Sequence, residues 1–364
     1  MSSASLAKRL WFSSDEISLL GLSGENDCRD FISQRAYQTM RDRMDTRHWA
    51  EVLRNKLLCH HFLTANGLPT PRLHGYFHHR DGTTASGAPL RSGSELMGYL
   101  EREGLLRVAL KNVTGGTGDS VLIGRVDASA LLLPDGQRLG AEAINQFAAR
   151  YEDGFIVEEV IEPAEGLAAV TDGGFISIRM QTLRLRDGQT KLQCAFIRLG
   201  MPGQLTDHAF RGAVMASVEL ETGALGDACS MRSDRATPVN LHPASGRRIK
   251  GVVIPAWEDC KATVLRAAAA LPGVHFIGWD VNPGRDGPVL IEGNVGNVVS
   301  VYQRLIGGFV ANGIAEEWAE HLGVELPDAS LGWRMRHWDK SPGLTRGEYL
   351  LGKLIKPVVR RLWP

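Results

Sequence analysis

The chain contains 364 residues, of which 43% are hydrophobic and 23% charged, and its 41 basic side chains balance its 41 acidic ones. Such a composition is typical of a globular protein, and the zero net charge argues against nucleic acid or an acidic polymer as a partner. The five cysteines show no CxxC pair and no regular spacing, and no run of about 18 apolar residues occurs. We therefore expect a cytoplasmic protein with reduced thiols and no membrane span.

The first half of the chain predicts a helical segment followed by a mixed region. Apolar residues recur at helical spacing through residues 31–62, and Asn66-Gly67 supplies a helix stop. Strands are expected at residues 73–77, 107–111, 121–126 and 155–161, and helices at residues 94–102 and 141–151. A glycine-rich turn, VTGGTGD, follows the second of these strands.

The second half alternates apolar and polar side chains, as half-buried antiparallel strands do. Strands are predicted at residues 175–186, 191–199 and 215–220, followed by an irregular stretch over 226–256 and a helix over 257–271. Two more strands, 274–281 and 289–292, are joined by NPGRDG, and one helix is expected over 300–322. This order predicts an α+β chain with two sheets, in two lobes that face each other across a cleft.

Three residues on the last predicted hairpin have the chemistry of a metal site. Asp280 closes the first strand, while Glu292 and Asn294 end the second strand and share one face because they are two residues apart. Carboxylate and amide oxygens suit Mg²⁺ that takes its other ligands from phosphates. A solvated hairpin tip is the competing interpretation. The apolar residues before each acid argue against it, since buried acids need a partner.

Lys111 ends an apolar strand directly before the glycine-rich turn. This order is the reverse of a P-loop, in which the lysine follows the glycines, and the turn does not fit a GxGxxG pattern either. One interpretation is a mobile loop whose backbone N–H groups close over phosphates, with the lysine at its base. A plain hairpin turn preceded by a surface lysine is the other.

Two further segments place charge on apolar strands. Glu158 and Glu159 are adjacent in FIVEEVI, so one of them faces inward and can bind the exocyclic amine of adenine; an edge strand with solvated acids is the alternative. Arg179 interrupts FISIRMQTL and either points into the cleft, to hold a phosphoryl or carboxylate group, or lies on an open sheet face. The histidines between His60 and His79 lack metal-ligand context and are expected to have surface or packing roles.

The order of these features resembles the ATP-grasp superfamily, and the second half is similar to the sugar-transfer-associated ATP-grasp family. The resemblance covers residues 50–320 and is carried by FISIRMQTL, MPGQLTDHAFRGAVMASVELETGAL, HPASG, VVIPAW, FIGWD and GPVLIEGN. It implies an α+β ATP-grasp fold, in which two α+β subdomains enclose ATP and a helical segment precedes them. The implied division is a helical segment over residues 1–66, a nucleotide-binding subdomain over 67–162, a C-terminal subdomain with the metal site over 163–325, and a basic tail over 326–364.

Together with the arguments above, the resemblance implies roles for individual residues. Arg179 is the expected catalytic residue, and Asp280, Glu292 and Asn294 are expected to hold Mg²⁺, with Mn²⁺ as a substitute. The residues expected to contact the nucleotide are Lys56, Lys111, Gly115, Gly116, Gly118, Glu158, Glu159 and Val160.

The activity implied by the resemblance is an ADP-forming ligase that activates a carboxylate as an acyl phosphate for attack by an amine or another nucleophile. The family name suggests polysaccharide or glycoconjugate synthesis, so the expected partners are ATP, a small carboxylate and an amine, with sugar-linked substrates included. A phosphotransferase acting on a hydroxyl and a non-catalytic ATP-binding scaffold for glycosyl-transfer proteins are the alternatives. Retention of all three metal ligands argues against the scaffold.

The end of the chain has a composition of its own. Residues 333–364 hold eight Lys/Arg side chains against Asp339 and Glu348, a net charge of +6, together with three tryptophans. Peripheral contact with an anionic membrane and packing of a tail helix on the catalytic body are both compatible with this pattern.

Overall fold

The computed structural model describes residues 3–23, 26–115, 120–127, 129–203, 213–232 and 234–328. Its centre is a pair of antiparallel sheets, each with seven strands. The strands of the first sheet are β1 Leu73–Phe77, β2 Thr83–Thr84, β3 Arg107–Asn112, β4 Val121–Asp127, β5 Ala130–Leu132, β6 Arg138–Gly140 and β7 Phe155–Glu158. Their order is β2-β1-β7-β3-β4-β5-β6, so β7, the last strand of this sheet in chain order, lies between β1 and β3.

The second sheet is built from the later part of the chain. Its strands are β8 Ile176–Arg184, β9 Thr190–Leu199, β10 Val214–Val218, β11 Leu225–Arg232, β12 Arg235–Val239, β13 Phe276–Gly284 and β14 Gly287–Asn294. Their order is β12-β11-β10-β9-β8-β13-β14, which places β13 next to β8 although a long stretch of chain separates them.

Helices surround both sheets. They are α1 Ser3–Arg9, α2 Ser14–Leu19, α3 Gln34–Met44, α4 Arg47–Arg54, α5 Lys56–Ala65, α6 Gly93–Arg102, α7 Ala141–Ala148, α8 Glu165–Thr171, α9 Trp257–Ala270, α10 Val299–Ile306 and α11 Ile314–Leu322. Side-chain caps define several starts. The Asn55 side chain, for example, accepts the Leu58 N–H at 3.0 Å and so fixes the first turn of α5.

The second sheet is packed on both faces. On one face Met180 and Trp279 join an apolar cluster with residues of α4, α5 and α9. On the other face Phe276 packs with residues of α3, α10 and α11. Because alternate residues of a strand share a face, Asp280 lies on the same face as Phe276, further along β13. The fold therefore gives this acid a buried position beside an apolar cluster.

An α+β architecture with two sheets and a helical N-terminal segment is confirmed, and three element predictions are wrong. Residues 226–256 are not irregular throughout, because they contain most of the β11–β12 hairpin. The strand expected over 155–161 ends at Glu158, since the Glu159 N–H bonds the Arg72 carbonyl instead. The helix expected over 300–322 is two helices, because Gly307 and Gly313 have φ values of 91° and 78°. The short elements α8, β5 and β6 were not anticipated by the pattern.

Several predictions have no structural outcome. The basic tail at 333–364 lies outside the described residues, as do Gly116 and Gly118 of the glycine-rich turn. The limits expected at residues 66, 162 and 325 stay predictions. Within the described ranges, no helix combines the length and the apolar character needed to cross a lipid bilayer.

Candidate functional site

Three neighbouring strands bring charged residues into one row across the second sheet. Asp280 on β13 lies directly opposite Arg179 on β8 and opposite Glu292 on β14. Residues in such cross-strand positions share a face and are close enough to interact. The sheet register therefore collects two of the predicted metal ligands and the predicted catalytic arginine in one place.

Two arginines converge on the Asp280 carboxylate. Arg179 donates from Nε to Oδ1 at 2.5 Å and from Nη2 to Oδ2 at 3.0 Å, while Arg198 on β9 reaches Oδ1 with Nη2 at 2.7 Å. Burial raises the pKa of Asp280, but the two guanidinium groups outweigh it and lower the pKa to about 2. Asp280 is therefore ionised throughout the physiological pH range.

Glu292 and Asn294 complete the predicted triplet. The Asn294 amide nitrogen donates to Glu292 Oε1 at 3.1 Å and to Asp280 Oδ2 at 3.4 Å, so all three head groups meet. Glu292 Oε2 also lies 3.4 Å from the Lys56 Nζ of α5. Its side chain is 22% exposed, against 7% for Asp280, which makes Glu292 the more accessible carboxylate.

The first sheet contributes a different charged pair. Lys111 on β3 donates from Nζ to Glu158 Oε2 on β7 at 2.9 Å, and His60 Nδ1 lies 3.5 Å from Glu158 Oε1. Burial lowers the pKa of Lys111, and the charge of Glu158 more than compensates and raises it; the pKa of Glu158 is lowered in turn, chiefly by Lys111 against its own burial. Lys111 is thus a buried partner of an acid and not a surface lysine.

The two adjacent acids at the end of β7 have different environments. Glu158 is 1% exposed and faces Lys111, while Glu159 turns towards the start of β1, where its Oε1 accepts the Arg72 N–H at 2.7 Å. Val160 follows at the strand end and is half-buried. One acid of the pair faces inward, as the pattern indicated, and it is Glu158.

Helix α5 connects the two sheets at this point. Lys56 Nζ donates to the Gly115 carbonyl in the glycine-rich turn and approaches Glu292 of the second sheet. One helical turn later, His60 faces Glu158 of the first sheet. Residues four apart lie on one helix face, so α5 presents both side chains to the same region. Lys56 therefore connects Gly115 with the group of Glu292, Asn294, Asp280 and Arg179 on the second sheet.

Two residues of this region were not predicted as functional. Arg198 sits in KLQCAFIRL, a strand with the same apolar flanks as that of Arg179, so the same argument could have found it. His60 was expected to have a surface or packing role. Its position four residues after Lys56 was the one sequence feature that placed it on the same helix face as a predicted site residue. The contact with Glu158 is not visible in the sequence.

The chemistry of these side chains fits a magnesium ion that takes its remaining ligands from phosphates. In the described part of the chain, no group of three or more His, Cys, Asp or Glu side chains is arranged to hold a metal ion. The triplet instead offers two carboxylates and one amide on one face; the amide nitrogen faces both carboxylates, so rotation of the amide group is needed for its oxygen to join them around a cation. The oxygens of Asp280 already accept from two arginines, so a cation there shares them with the guanidinium groups.

Comparison with known proteins identifies the fold. The sequence profile of the family described as sugar-transfer-associated ATP-grasp matches residues 35–311. The chain therefore belongs to this family and has the ATP-grasp fold. The comparison with curated proteins gave no match.

Solved structures give distant similarities. One is N5-carboxyaminoimidazole synthase from Aspergillus clavatus in complex with ADP and 5-aminoimidazole ribonucleotide, with 12% identity, 72% of this chain and 50% of that chain covered, and a TM-score of 0.39. Another is the ATP-grasp ligase PsnB with a precursor variant, Mg and ADP, at 14% identity, 75% and 62% coverage and a TM-score of 0.40. A third is the D-alanine-D-alanine ligase from Coxiella burnetii, at 13% identity, 67% and 48% coverage and a TM-score of 0.37. The chain thus spans 50% and 62% of the lengths of the first two.

Proposed function

We propose that this protein is an ATP- and Mg²⁺-dependent ligase that forms ADP and joins a carboxylate to an amine or another nucleophile. The observation that supports it best is the position of Lys56. Its Nζ donates to the Gly115 carbonyl in the glycine-rich turn and also approaches the predicted metal ligand Glu292. Phosphates held between the glycine-rich turn and the metal ligands would therefore lie next to this ammonium group.

The nucleotide is proposed to lie across the junction of the two sheets. Adenine is assigned to the segment Glu158–Val160, and the phosphates to Lys56, Lys111 and the glycines of the turn, Gly115, Gly116 and Gly118. Lys111 gives one N–H to Glu158. Because an ammonium group has three donors, it can keep this partner and still bind a phosphate oxygen.

The proposed reaction has two steps. A carboxylate oxygen of the substrate attacks the γ-phosphorus of ATP, the bond to ADP breaks, and an acyl phosphate forms. The amine nitrogen then attacks the acyl carbon, phosphate leaves, and the nitrogen loses a proton. Mg²⁺ held by Asp280, Glu292 and Asn294 would neutralise charge on the phosphate oxygens. Arg179 and Arg198 supply planar donors for the transferring phosphoryl group, and no protein nucleophile is needed.

The substrates are proposed to belong to polysaccharide or glycoconjugate synthesis in the cytoplasm. This assignment comes from the family description, and the carboxylate or the amine is then carried by a sugar. An alternative with the same site is direct transfer of the γ-phosphate to a hydroxyl.

The decisive experiment is a screen for ADP release with pairs of acids and amines, including amino acids, amino sugars and uronic acids, followed by product analysis. A ligase gives free phosphate and a new amide or ester, whereas a kinase gives a phosphorylated acceptor. Glu292→Gln is the control, because it keeps the side-chain shape and removes the charge. We expect this variant to fold normally and lose Mg²⁺-dependent turnover by at least about 10³-fold, the effect of several kcal/mol of charge stabilisation. Full activity of Glu292→Gln would contradict the metal assignment.

A further inference from the structure

The loop that follows the predicted metal ligands is held by two side chains of α3, in the N-terminal segment. Gln34 on α3 donates from Nε2 to the Asn297 carbonyl at 2.8 Å and accepts the Val299 N–H on Oε1 at 2.9 Å. Arg41, two turns later on α3, donates to the Val295 carbonyl at 2.6 Å. Two side chains therefore fix three of the five residues that follow Asn294.

The same loop reaches the arginine of the site through Asn297. This residue is fully buried, and its side-chain oxygen lies 3.5 Å from Nη1 of Arg179 while its amide nitrogen lies 3.4 Å from Gln181 Oε1. The Asn297 side chain packs directly on the backbone of β13, because a Cβ on Gly278 would lie 1.9 Å from the Asn297 side-chain oxygen. A shift of the loop therefore displaces both Asn294, at its start, and the side chain that faces Arg179.

We infer that Gln34 and Arg41 are positioning residues for the metal site, acting through the backbone of residues 295–299. The inference rests on the metal ligands of the proposed function. Residues that orient metal ligands without touching the ion can change its affinity by about 10–100-fold when they are lost. The N-terminal helical segment then has a role in cation binding and is more than a cover for the second sheet.

The chain contains a matched control for a merely structural role. Gln303 on α10 makes the same type of two-bond contact with the N-terminal segment, accepting the Ile32 N–H at 2.8 Å and donating to the Ile32 carbonyl at 2.7 Å. It joins the same two parts of the fold but binds no carbonyl of the loop that follows Asn294. Loss of Gln303 should therefore weaken packing without reaching the metal ligands.

The test compares Gln34→Leu, Arg41→Met and Gln303→Leu in the full chain. Mn²⁺ affinity is measured by electron paramagnetic resonance titration with a non-hydrolysable ATP analogue, and thermal unfolding is measured without ligands. We expect Mn²⁺ binding to weaken at least about tenfold in the first two variants. Gln303→Leu should lose comparable thermal stability and stay within about twofold of the wild-type affinity.

Milder variants cover the case in which Gln34→Leu does not fold. Gln34→Glu keeps the acceptor for Val299 and loses the donor for Asn297, and Arg41→Lys keeps the charge; both should weaken Mn²⁺ binding. Wild-type affinity in the Gln34 and Arg41 variants, or an equal loss in Gln303→Leu, overturns the inference. Glu292→Gln in the same assay separates the two ideas: if it binds Mn²⁺ normally, the metal site itself is wrong, and if it alone loses Mn²⁺, only the positioning role is wrong.

Discussion

The two sheets both place charged side chains in buried surroundings, but they balance the charge differently. On the first sheet, Lys111 and Glu158 form an ion pair at 2.9 Å, and His60 lies 3.5 Å from the same acid. On the second sheet, Arg179 and Arg198 share the single carboxylate of Asp280. The first pair is neutral as a unit, whereas the two arginines and Asp280 together carry one excess positive charge, next to the carboxylate of Glu292.

The difference matters because lysine and arginine respond differently when a partner is lost. A buried lysine can release its proton, whereas arginine stays charged at every pH that a folded protein tolerates. The second sheet therefore keeps a permanent positive charge next to the predicted metal ligands. Such a charge suits the phosphoryl and carboxylate oxygens of the proposed substrates.

The largest expected effect comes from removing the acid on each sheet. At pH 7 and without ligands, Asp280→Ala and Glu158→Ala should each lose about 3–5 kcal/mol of unfolding free energy, as breaking a buried ion pair does. Between pH 7 and pH 9, Glu158→Ala should regain at least about 1 kcal/mol. The reason is that burial lowers the pKa of Lys111 and Glu158 no longer offsets this effect in the variant, so we expect a folded-state pKa below the unfolded value and a stability that rises as the folded state loses the proton. Asp280→Ala should regain nothing.

Chemical denaturation at the two pH values measures this difference, with wild-type protein as the reference at each pH. Equal recovery in both variants, or none in Glu158→Ala, would show that the two sheets do not differ in the way described.

A third carboxylate, Asp45, extends the comparison, because within the described ranges it forms no ion pair like those of Glu158 and Asp280. Asp45 at the end of α3 accepts the His275 N–H on Oδ1 at 2.7 Å, and burial raises its pKa to about 7 against the effects of that bond and of Arg41. Since the folded-state pKa is above the unfolded value, the wild type loses stability as pH rises from 4 towards 7. Asp45→Asn should therefore gain about 2–3 kcal/mol relative to the wild type between pH 5 and pH 8.

The measurement is the unfolding free energy of both proteins at pH 5 and pH 8. Asparagine can still accept the His275 N–H, so changes in packing cancel when the two pH values are compared. A pH-independent difference between the proteins would mean that Asp45 is ionised in the folded state at both values.

The third prediction asks whether the excess charge of the second sheet serves the reaction. Arg179→Lys keeps the charge and loses the planar fork that faces Asp280. If Arg179 stabilises the transferring phosphoryl group, kcat should fall by more than about tenfold, while ATP affinity measured without turnover changes little.

Steady-state kinetics and equilibrium binding of a non-hydrolysable ATP analogue distinguish the outcomes. A higher KM for ATP with unchanged kcat would instead make Arg179 a ground-state contact of the nucleotide, and the proposed role would be wrong.

Much of the fold follows from local pattern, and the errors have local causes too. Helical spacing identified the N-terminal segment, and alternation located β8, β9 and β10 to within a few residues. The hairpin β11–β12 was not predicted, because β12 is largely exposed and contains Pro238. Proline suits an edge strand but weakens the alternation of apolar and polar residues. The break between α10 and α11 depends on glycines whose positive φ becomes visible only in the folded chain.

The sequence by itself determined which side chains are proposed to carry the chemistry, because an acid or arginine within an apolar strand stands out from its neighbours. Asp280, Glu292 and Arg179 were identified in this way, as was the adjacent pair Glu158 and Glu159, of which the structure buries Glu158. Only the tertiary structure decided which of them meet. The pairing of Arg179 with Asp280 joins residues 101 apart, and the contact of Gln34 with the Asn297 carbonyl joins residues 263 apart. Alternation assigns a residue to a face of its own strand, whereas its partner depends on the register between strands and on the packing of helices, which no local pattern encodes.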